Sequence, residues 1–408
     1  MRIIHTADWH IGQTLRGYSR EFEHQEVFKA LGGLLIERKV DAMIVAGDVF
    51  ESQNPSGEAM RLLYDTLVSF KRLRPQLTII LVAGNHDAAS RLEAPRGLLR
   101  SLGIHVVGPI RRRDGEIDID HHLVPLANEM GEPRAMVLAV SHPTPACLPH
   151  FARLDEAVSP IVRAVRSLYS ELVDAAHLHL EGLPLILTGH LHVAGGLESE
   201  GSERRILVGG QHAVPADVFP SDACYVALGH LHKNQSIGRQ TTRYSGSLIP
   251  LSAAEQHYAH GISLVTVDGK TASVEHIPIA RPVPFLRLPQ RGEIKLSEVG
   301  DHLEALGLSG DLPSHQKPFV HIALSRDGLT PGFREEIDRV AAQFPVRLVD
   351  IRIAPLPAAN IEPGTVTPEL RLAERDPEEL FRLAFERQFG KAPDTAHLDV
   401  FHHAIAQG

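Results

Sequence analysis

The sequence predicts an α/β fold: a helix-covered sheet completed by a second, more antiparallel sheet, followed by a small α+β module and C-terminal helices. Three observations predict it. Short runs rich in Ile, Val and Leu alternate with segments of helical period over the first half of the chain. From about 204 to 278, β-like runs succeed one another without helices between them. Prolines then punctuate the chain, at 282 and 284 and four times within 355–368, setting off two smaller units.

The elements follow in order. RIIHT (2–6), AMIVA (42–46), TIILVA (78–83), LPLILT (183–188) and ACYVAL (223–228) read as strands buried on both faces. Helical-period segments lie at about 20–39, 57–73, 90–101 and 154–177. The runs RILV, QSIG, TRYSGS, ISLVTV and SVEHI then supply the second, more antiparallel sheet. A strand at 284–288, a helix at 296–306, a strand at 318–324, a helix at 331–343 and a strand at 346–353 form the small module. The expected domains are 1–280, the module 281–355, an extended Pro-rich linker 356–375, and helices over 376–408. Phe381, Phe385 and Phe389 recur every fourth residue and make one apolar stripe on the first C-terminal helix.

Composition narrows the function. The 408 residues include 41 Lys+Arg and 50 Asp+Glu, a formal charge of −9, which opposes a non-specific coat on nucleic acid. Aromatic residues, at 5%, are too few for an evident base-stacking platform. Two cysteines exclude a disulfide framework and a multi-Cys zinc or iron–sulfur centre. No apolar run suits a secretory signal or a membrane span, so the expected location is cytoplasmic. The outlier is histidine, with 25 residues, which points to a metal site built from imidazoles and carboxylates.

The chemistry-bearing residues sit at strand ends. Each buried run is followed at once by a polar cluster: ADWH (7–10), GDVF (47–50), GNHD (84–87), GHLH (189–192) and GHLH (229–232). Loops at the carboxyl ends of such strands gather on one rim, so clusters distant in sequence meet in space. Asp8 and His10, two apart in a segment read as extended, are expected to point the same way, as are His230 and His232. The candidate set is Asp8, His10, Asp48, Asn85, His190, His230 and His232, with His86 beside it. These O and N donors exceed the coordination of one ion and suit two, one carboxylate bridging, at the ~3.5–4 Å spacing that clamps a phosphoryl displacement. A set without thiolate suits Mn, Fe or Zn better than Mg or Ca. Any one DxH or GHxH is a weak signal, since a lone His is more often core or surface; the ordered series of five carries the inference. Trp9, the only Trp, reads as packing beside the site, and His192, His142 and the loop HPTPACLPH as surface or structural. Arg111, Arg112 and Arg113 read as a solvated loop in preference to a phosphate contact.

The series D-x-H, GD, GNHD, GH, GHxH resembles the calcineurin-like metallophosphoesterases. Within them, MRIIHTADWHIGQ, DAMIVAGDVFES, ALGHLHKNQ and YSGSLIPLS are similar to the SbcD family of bacterial nuclease subunits. The resemblance spans most of the chain and implies a two-sheet α/β sandwich, a capping domain and C-terminal helices. It implies that Asp8, His10, Asp48 and His232 hold one Mn²⁺, and that Asp48, Asn85, His190 and His230 hold a second. It implies that His86 is the catalytic histidine, off the metals. It further implies 3′-to-5′ exonuclease action on duplex DNA, endonuclease action on single strands and hairpins, and an SbcC-type coiled-coil ATPase as partner to a nuclease homodimer within a heterotetramer. One departure stands out: archaeal relatives carry a second histidine about three or four residues beyond the motif-two aspartate, where this chain has Val49, Phe50, Glu51 and Ser52. Two other readings stay open on sequence alone, a small-molecule phosphoesterase and a non-catalytic DNA tether. The Phe381/Phe385/Phe389 stripe likewise has two readings, docking on the ATPase coiled coil or packing within its own domain.

Overall fold

A computed structural model describes residues 1–128, 130–149, 159–199, 213–329 and 331–354, together with 378, 381–382, 384–386, 392–394, 397–398 and 401. The run RILV, the start of the helix expected from 154, the linker 356–375 and Phe389 lie outside the described residues. Contacts divide the chain into two units, Met1–Ala354 and Pro355–Gly408.

In the first unit, each buried run becomes a strand: β1 (Arg2–Thr6), β2 (Ala42–Ala46) and β3 (Thr78–Val82) pair in parallel, and β4 (Ile104–Val107) closes that edge. Helices α1 (Glu21–Glu37), α2 (Gly57–Leu73), α3 (Ala89–Glu93) and α4 (Arg96–Ser101) connect them. The segment expected as one helix over 90–101 is two short ones, because Pro95 stands between them as the N-cap of the second. Helix α2 begins at Ser56, whose side chain accepts from the Ala59 amide at 3.2 Å. Glu58 in its first turn and Lys71 and Arg72 in its last complement the helix dipole.

The second sheet departs from expectation. It is mixed and contains β5 (Leu123–Ala127), β6 (Pro133–Leu138), β7 (Leu185–His190), β8 (Tyr225–Gly229), β9 (Gln235–Ile237) and β10 (Arg239–Tyr244), in the order β9-β10-β8-β7-β6-β5. The runs ISLVTV and SVEHI, expected here, instead form a hairpin, β11 (Gly261–Asp268) and β12 (Thr271–Pro278), that adds antiparallel to β1, giving the first sheet the order β12-β11-β1-β2-β3-β4. The reason is burial: β11 reads GISLVTVD with its first five residues covered on both faces, which suits a seat inside a sheet.

The two sheets pack face to face. Ile3, Ala42, Ile44, Ile80 and Val82 of the first meet Leu126, Val137, Ile186, Tyr225 and Ala227 of the second. The alternate residues Ile4, Met43, Val45, Ile79 and Leu81 face α1 and α2. On the far side, α5 (Pro160–His177) lays Val165, Leu168, Tyr169 and Leu172 on the second sheet. The result is an α/β/β/α sandwich in which β1, β2, β3, β7 and β8 end on one rim.

The module is β13 (Phe285–Leu288), β14 (Phe319–Leu324) and β15 (Arg347–Ile353), all parallel, with α6 (Val299–Glu304) and α7 (Phe333–Ala341) as crossovers. Phe319 anchors it on the sandwich, buried under the guanidinium groups of Arg20 at 5.1 Å and Arg347 at 3.7 Å. In the second unit, Phe381 stacks on Phe401 with centroids 4.4 Å apart and Phe385 meets His397 at 4.6 Å. No described helix is long and apolar enough to cross a membrane.

Candidate metal centre

All five polar clusters converge at the shared rim. Asp8 and His10 follow β1, Asp48 follows β2, Asn85 and His86 follow β3, His190 ends β7, and His230 and His232 follow β8. Three overlapping groups form, each with ligand-type atoms within 4.8 Å of one another: Asp8, His10 and His232; His10, Asp48 and His86; Asp48, His190 and His230. Asn85 joins the third through its Oδ1, 2.9 Å from His190 Nε2 and 3.1 Å from His230 Nδ1. Asp48 is central, its Oδ2 lying 3.6 Å from His10 Nε2 and 3.2 Å from His190 Nε2.

The local backbone differs from the extended segment expected at D-x-H. Asp8 and His10 both have positive φ, 52° and 48°, as do Asp48 at 49° and His230 at 106°. Such conformations cost of order 1–3 kcal/mol each in a non-glycine residue and persist only where surroundings impose them. Here the first two loops run side by side beyond their strands. The amides of Asp8, His10 and Ile11 donate to the carbonyls of Gly47, Asp48 and Val49, each at 3.0 Å. His230 and His232 also part company, His230 joining the Asp48 group and His232 the Asp8 group.

The glycines have two roles. Gly47 has φ of 92° and makes the turn foreseen for it. Gly84 and Gly229 instead permit close approach: a Cβ on Gly84 would stand 2.1 Å from Asp48 Oδ1, and one on Gly229 1.9 Å from the Ala46 carbonyl oxygen.

Behind the cluster stand residues that the sequence did not single out. Glu51 accepts from His10 Nδ1 at 2.7 Å, and its carbonyl accepts from His86 Nδ1 at 2.8 Å. Glu255, fully buried, accepts from His232 Nδ1 at 2.9 Å and from the Leu251 amide at 2.9 Å. Asp87 accepts the amides of Val49, Phe50 and Gly84 at 2.9–3.1 Å, tying the second and third loops together. Glu51 and Asp87 lie inside or beside quoted motifs, whereas nothing in SAAEQH marks Glu255.

The other singled-out residues lie around this frame. Trp9 is buried, its Nε1 donating to Thr6 Oγ1 at 2.9 Å and its ring 4.8 Å from Phe28. His142 donates from Nδ1 to the His190 carbonyl at 2.9 Å, and His192 faces Glu198 at 3.1 Å. Arg111, Arg112 and Arg113 are paired with Glu93, Glu171 and Asp118.

The electrostatics suit cations. Burial raises the Asp8 carboxyl above its ordinary range, although three histidines oppose it. Burial also acts on Asp48, but there His190, His10 and His86 prevail and hold it well below the usual carboxylate range. Burial would lower His190, yet Asp48 and Asp8 carry it up to about 9, while burial and the adjoining His190 push His230 far down. Asp8 Oδ2 and His10 Nε2 are buried with no hydrogen-bond partner among the described residues. An unpaired buried polar atom costs about 1–3 kcal/mol, so two facing one point want a common partner. A divalent cation satisfies both, and the imidazole, carboxylate and amide donors fit one.

Residues 1–194 match the family model described as calcineurin-like phosphoesterase, and residues 281–389 match that described as type 5 capsule protein repressor C-terminal domain. The chain is 46% identical to the SbcD subunit of nuclease SbcCD from Rhodobacter capsulatus, over 94% of each chain. It is 35% identical to the protein of that name from Bacillus subtilis, over 70% of this chain and 72% of the other. The Escherichia coli K12 protein of the same name is 32% identical over 86% of this chain and 85% of its own.

Proposed function

The chain belongs to the SbcD family, the metal-dependent phosphodiester hydrolases of SbcCD nucleases, and on that premise we propose that it is the Mn²⁺-dependent nuclease subunit of a DNA end-processing complex. Its reactions are 3′-to-5′ exonuclease cleavage of duplex DNA and endonuclease cleavage of single strands and hairpins. It works in the cytoplasm as a homodimer within a heterotetramer, its partner an SbcC-type coiled-coil ATPase docked on the helices of 376–408. The observation that carries the reading is the meeting of seven donors from five strand ends around the unpartnered Asp8 Oδ2 and His10 Nε2.

Asp8, His10, Asp48 and His232 would hold one cation, and Asp48, Asn85, His190 and His230 the other. When bound, the two cations neutralise the non-bridging phosphoryl oxygens and activate the attacking water. The chain's own residues do the rest. The Glu51 carbonyl accepts a hydrogen bond from His86 Nδ1–H, which orients the ring and leaves Nε2 as the edge that exchanges a proton with the leaving 3′ oxygen. The His86 amide donates to Asp48 Oδ1 at 2.8 Å and the His230 amide to Asp8 Oδ1 at 2.9 Å. Each carboxylate therefore keeps its other oxygen for the site.

Cleavage of end-labelled duplex and hairpin DNA, with Mn²⁺ or Mg²⁺ and with or without the ATPase, tests the proposal. The expected result is Mn²⁺-dependent, ATP-independent shortening of duplex by the isolated chain, with hairpin opening stimulated by ATPase and ATP. Turnover of p-nitrophenyl phosphate esters without cleavage of any DNA would overturn it in favour of a small-molecule phosphoesterase.

A further inference from the structure

The two halves of the candidate centre are not backed alike. In the half formed by Asp8, His10 and His232, both imidazoles donate from Nδ1 to a carboxylate: His10 to Glu51 at 2.7 Å and His232 to Glu255 at 2.9 Å. In the half formed by Asp48, Asn85, His190 and His230, no carboxylate among the described residues stands behind a ring. His190 Nδ1 donates to the Ala46 carbonyl at 2.8 Å, while His230 turns its Nδ1 inward, to within 3.1 Å of the proposed ligand atom Asn85 Oδ1. Apart from the shared Asp48, the second half has an amide where the first has Asp8.

Two consequences follow from general chemistry. A carboxylate accepting from the far nitrogen of an imidazole fixes its tautomer and ring angle and raises its basicity, which strengthens the near nitrogen as a ligand. The carboxylates also add negative charge one hydrogen bond from the ion, and burial keeps the charge of Glu255 from being screened. Glu255 is fully buried and the His232 ring nearly so. Both effects favour the Asp8 half. That half also holds the two buried atoms left without partners, Asp8 Oδ2 and His10 Nε2, so a cation there removes the larger penalty.

We propose that the centre loads in order: the Asp8/His10/His232 half takes the first divalent cation tightly, held so by Glu51 and Glu255 as positioning residues, and the Asp48/Asn85/His190/His230 half takes a second, weaker and exchangeable one. This rests on the two-cation reading above but not on the identity of the substrate. Glu51 lies in the stretch just after Asp48. It serves the site from behind a ligand. Its carbonyl contact with His86 places the tight half and the proton-exchanging histidine on one residue.

The test is calorimetric titration of chelator-stripped, full-length protein with MnCl₂, read alongside Mn²⁺ electron paramagnetic resonance at one and two equivalents. The wild type is expected to show two separable events. Glu51→Gln and Glu255→Gln should each weaken the tight event by roughly 10–100-fold and leave the weak one unchanged. Asn85→Asp should tighten the weak event alone. Glu51 is about one-third exposed, so its glutamine variant is expected to melt with the wild-type apoprotein and decides the matter even if Glu255→Gln does not fold. Equal affinity of the two events, or weakening of the second event in Glu51→Gln, would overturn the proposal. Ordered binding in a protein that cleaves no DNA would uphold it while sinking the nuclease reading, and cleavage by a protein with two equal sites would do the reverse.

Discussion

Gly84→Ala is expected to disable the centre although it replaces no ligand. The added methyl carbon would lie 2.1 Å from Asp48 Oδ1, 2.2 Å from the Asp48 amide nitrogen and 2.8 Å from its Cγ. Rotating the Asp48 side chain relieves the first and third contacts but not the second, which is backbone. An ordinary contact needs about 3.4 Å, so the loops after β2 and β3 must separate by about 1 Å. Overpacking of this kind typically costs about 1–3 kcal/mol in stability. The functional cost is larger, because Asp48 is the carboxylate common to both halves of the site and a shift of about 1 Å at reacting groups can cost about 100-fold. The assay pairs urea unfolding of the apoprotein with Mn²⁺ titration and DNA cleavage. The expected outcome is a modest loss of stability, loss of the bridged two-cation state and at least a 100-fold fall in cleavage. Wild-type affinity and wild-type cleavage in a Gly84→Ala protein would refute the close-approach reasoning.

Other outcomes are expected. Gly33→Ala, in the middle of α1 where an added Cβ meets nothing within 4 Å, should stabilise the protein by about 0.5–1 kcal/mol, measured by denaturant midpoint. The neighbouring Gly32→Ala should not, because its Cβ would stand 2.9 Å from Leu73 Cδ1. His86→Gln should lower cleavage by about 100-fold or more with both cations still bound, read by single-turnover cleavage against metal content; loss of metal with activity would reassign His86 as a ligand. Acid should unfold the protein early: burial holds His5 down to about 3 and His24, His122 and His260 down to about 4. Unfolded imidazoles bind protons near 6.5, so the unfolded state takes up more protons between those limits and stability falls as pH drops through them. Each such histidine contributes a slope of up to about 1.4 kcal/mol per pH unit, and a urea midpoint that stays flat from pH 6.5 to 4 would contradict this.

The site was legible in the sequence because its residues follow buried strands at once. The runs before Asp8, Asp48, Asn85, His190 and His230 are apolar enough to declare strands whatever sheet they join, and strand ends on a common rim bring their next residues together. The sheet to which each strand belongs was not legible. The hairpin Gly261–Pro278 carries no local mark that it pairs with β1, because that pairing is set by a contact more than 250 residues distant in sequence. Leu123–Ala127 and Pro133–Leu138 each contain a proline and so did not read as strands, yet they end the second sheet: Pro125 lies in the edge strand and Pro133 is the first residue of the strand beside it, two places where a missing amide is tolerated. The left-handed turns at Asp8, His10 and Asp48 were hidden because sequence suggests such conformations mainly through glycine. Glu255 was invisible because a lone glutamate becomes an orienting group only when tertiary structure places it 2.9 Å from His232.

The site is expected to hold two cations with Asp48 in common. The decisive measurement is diffraction from a crystal grown in MnCl₂, collected at the Mn absorption edge. Two anomalous peaks are expected about 3.5–4 Å apart, one against Asp8, His10 and His232, the other against Asn85, His190 and His230, and both against Asp48. Peaks elsewhere, or none beside Asp8 Oδ2 and His10 Nε2 at saturating Mn²⁺, would contradict it.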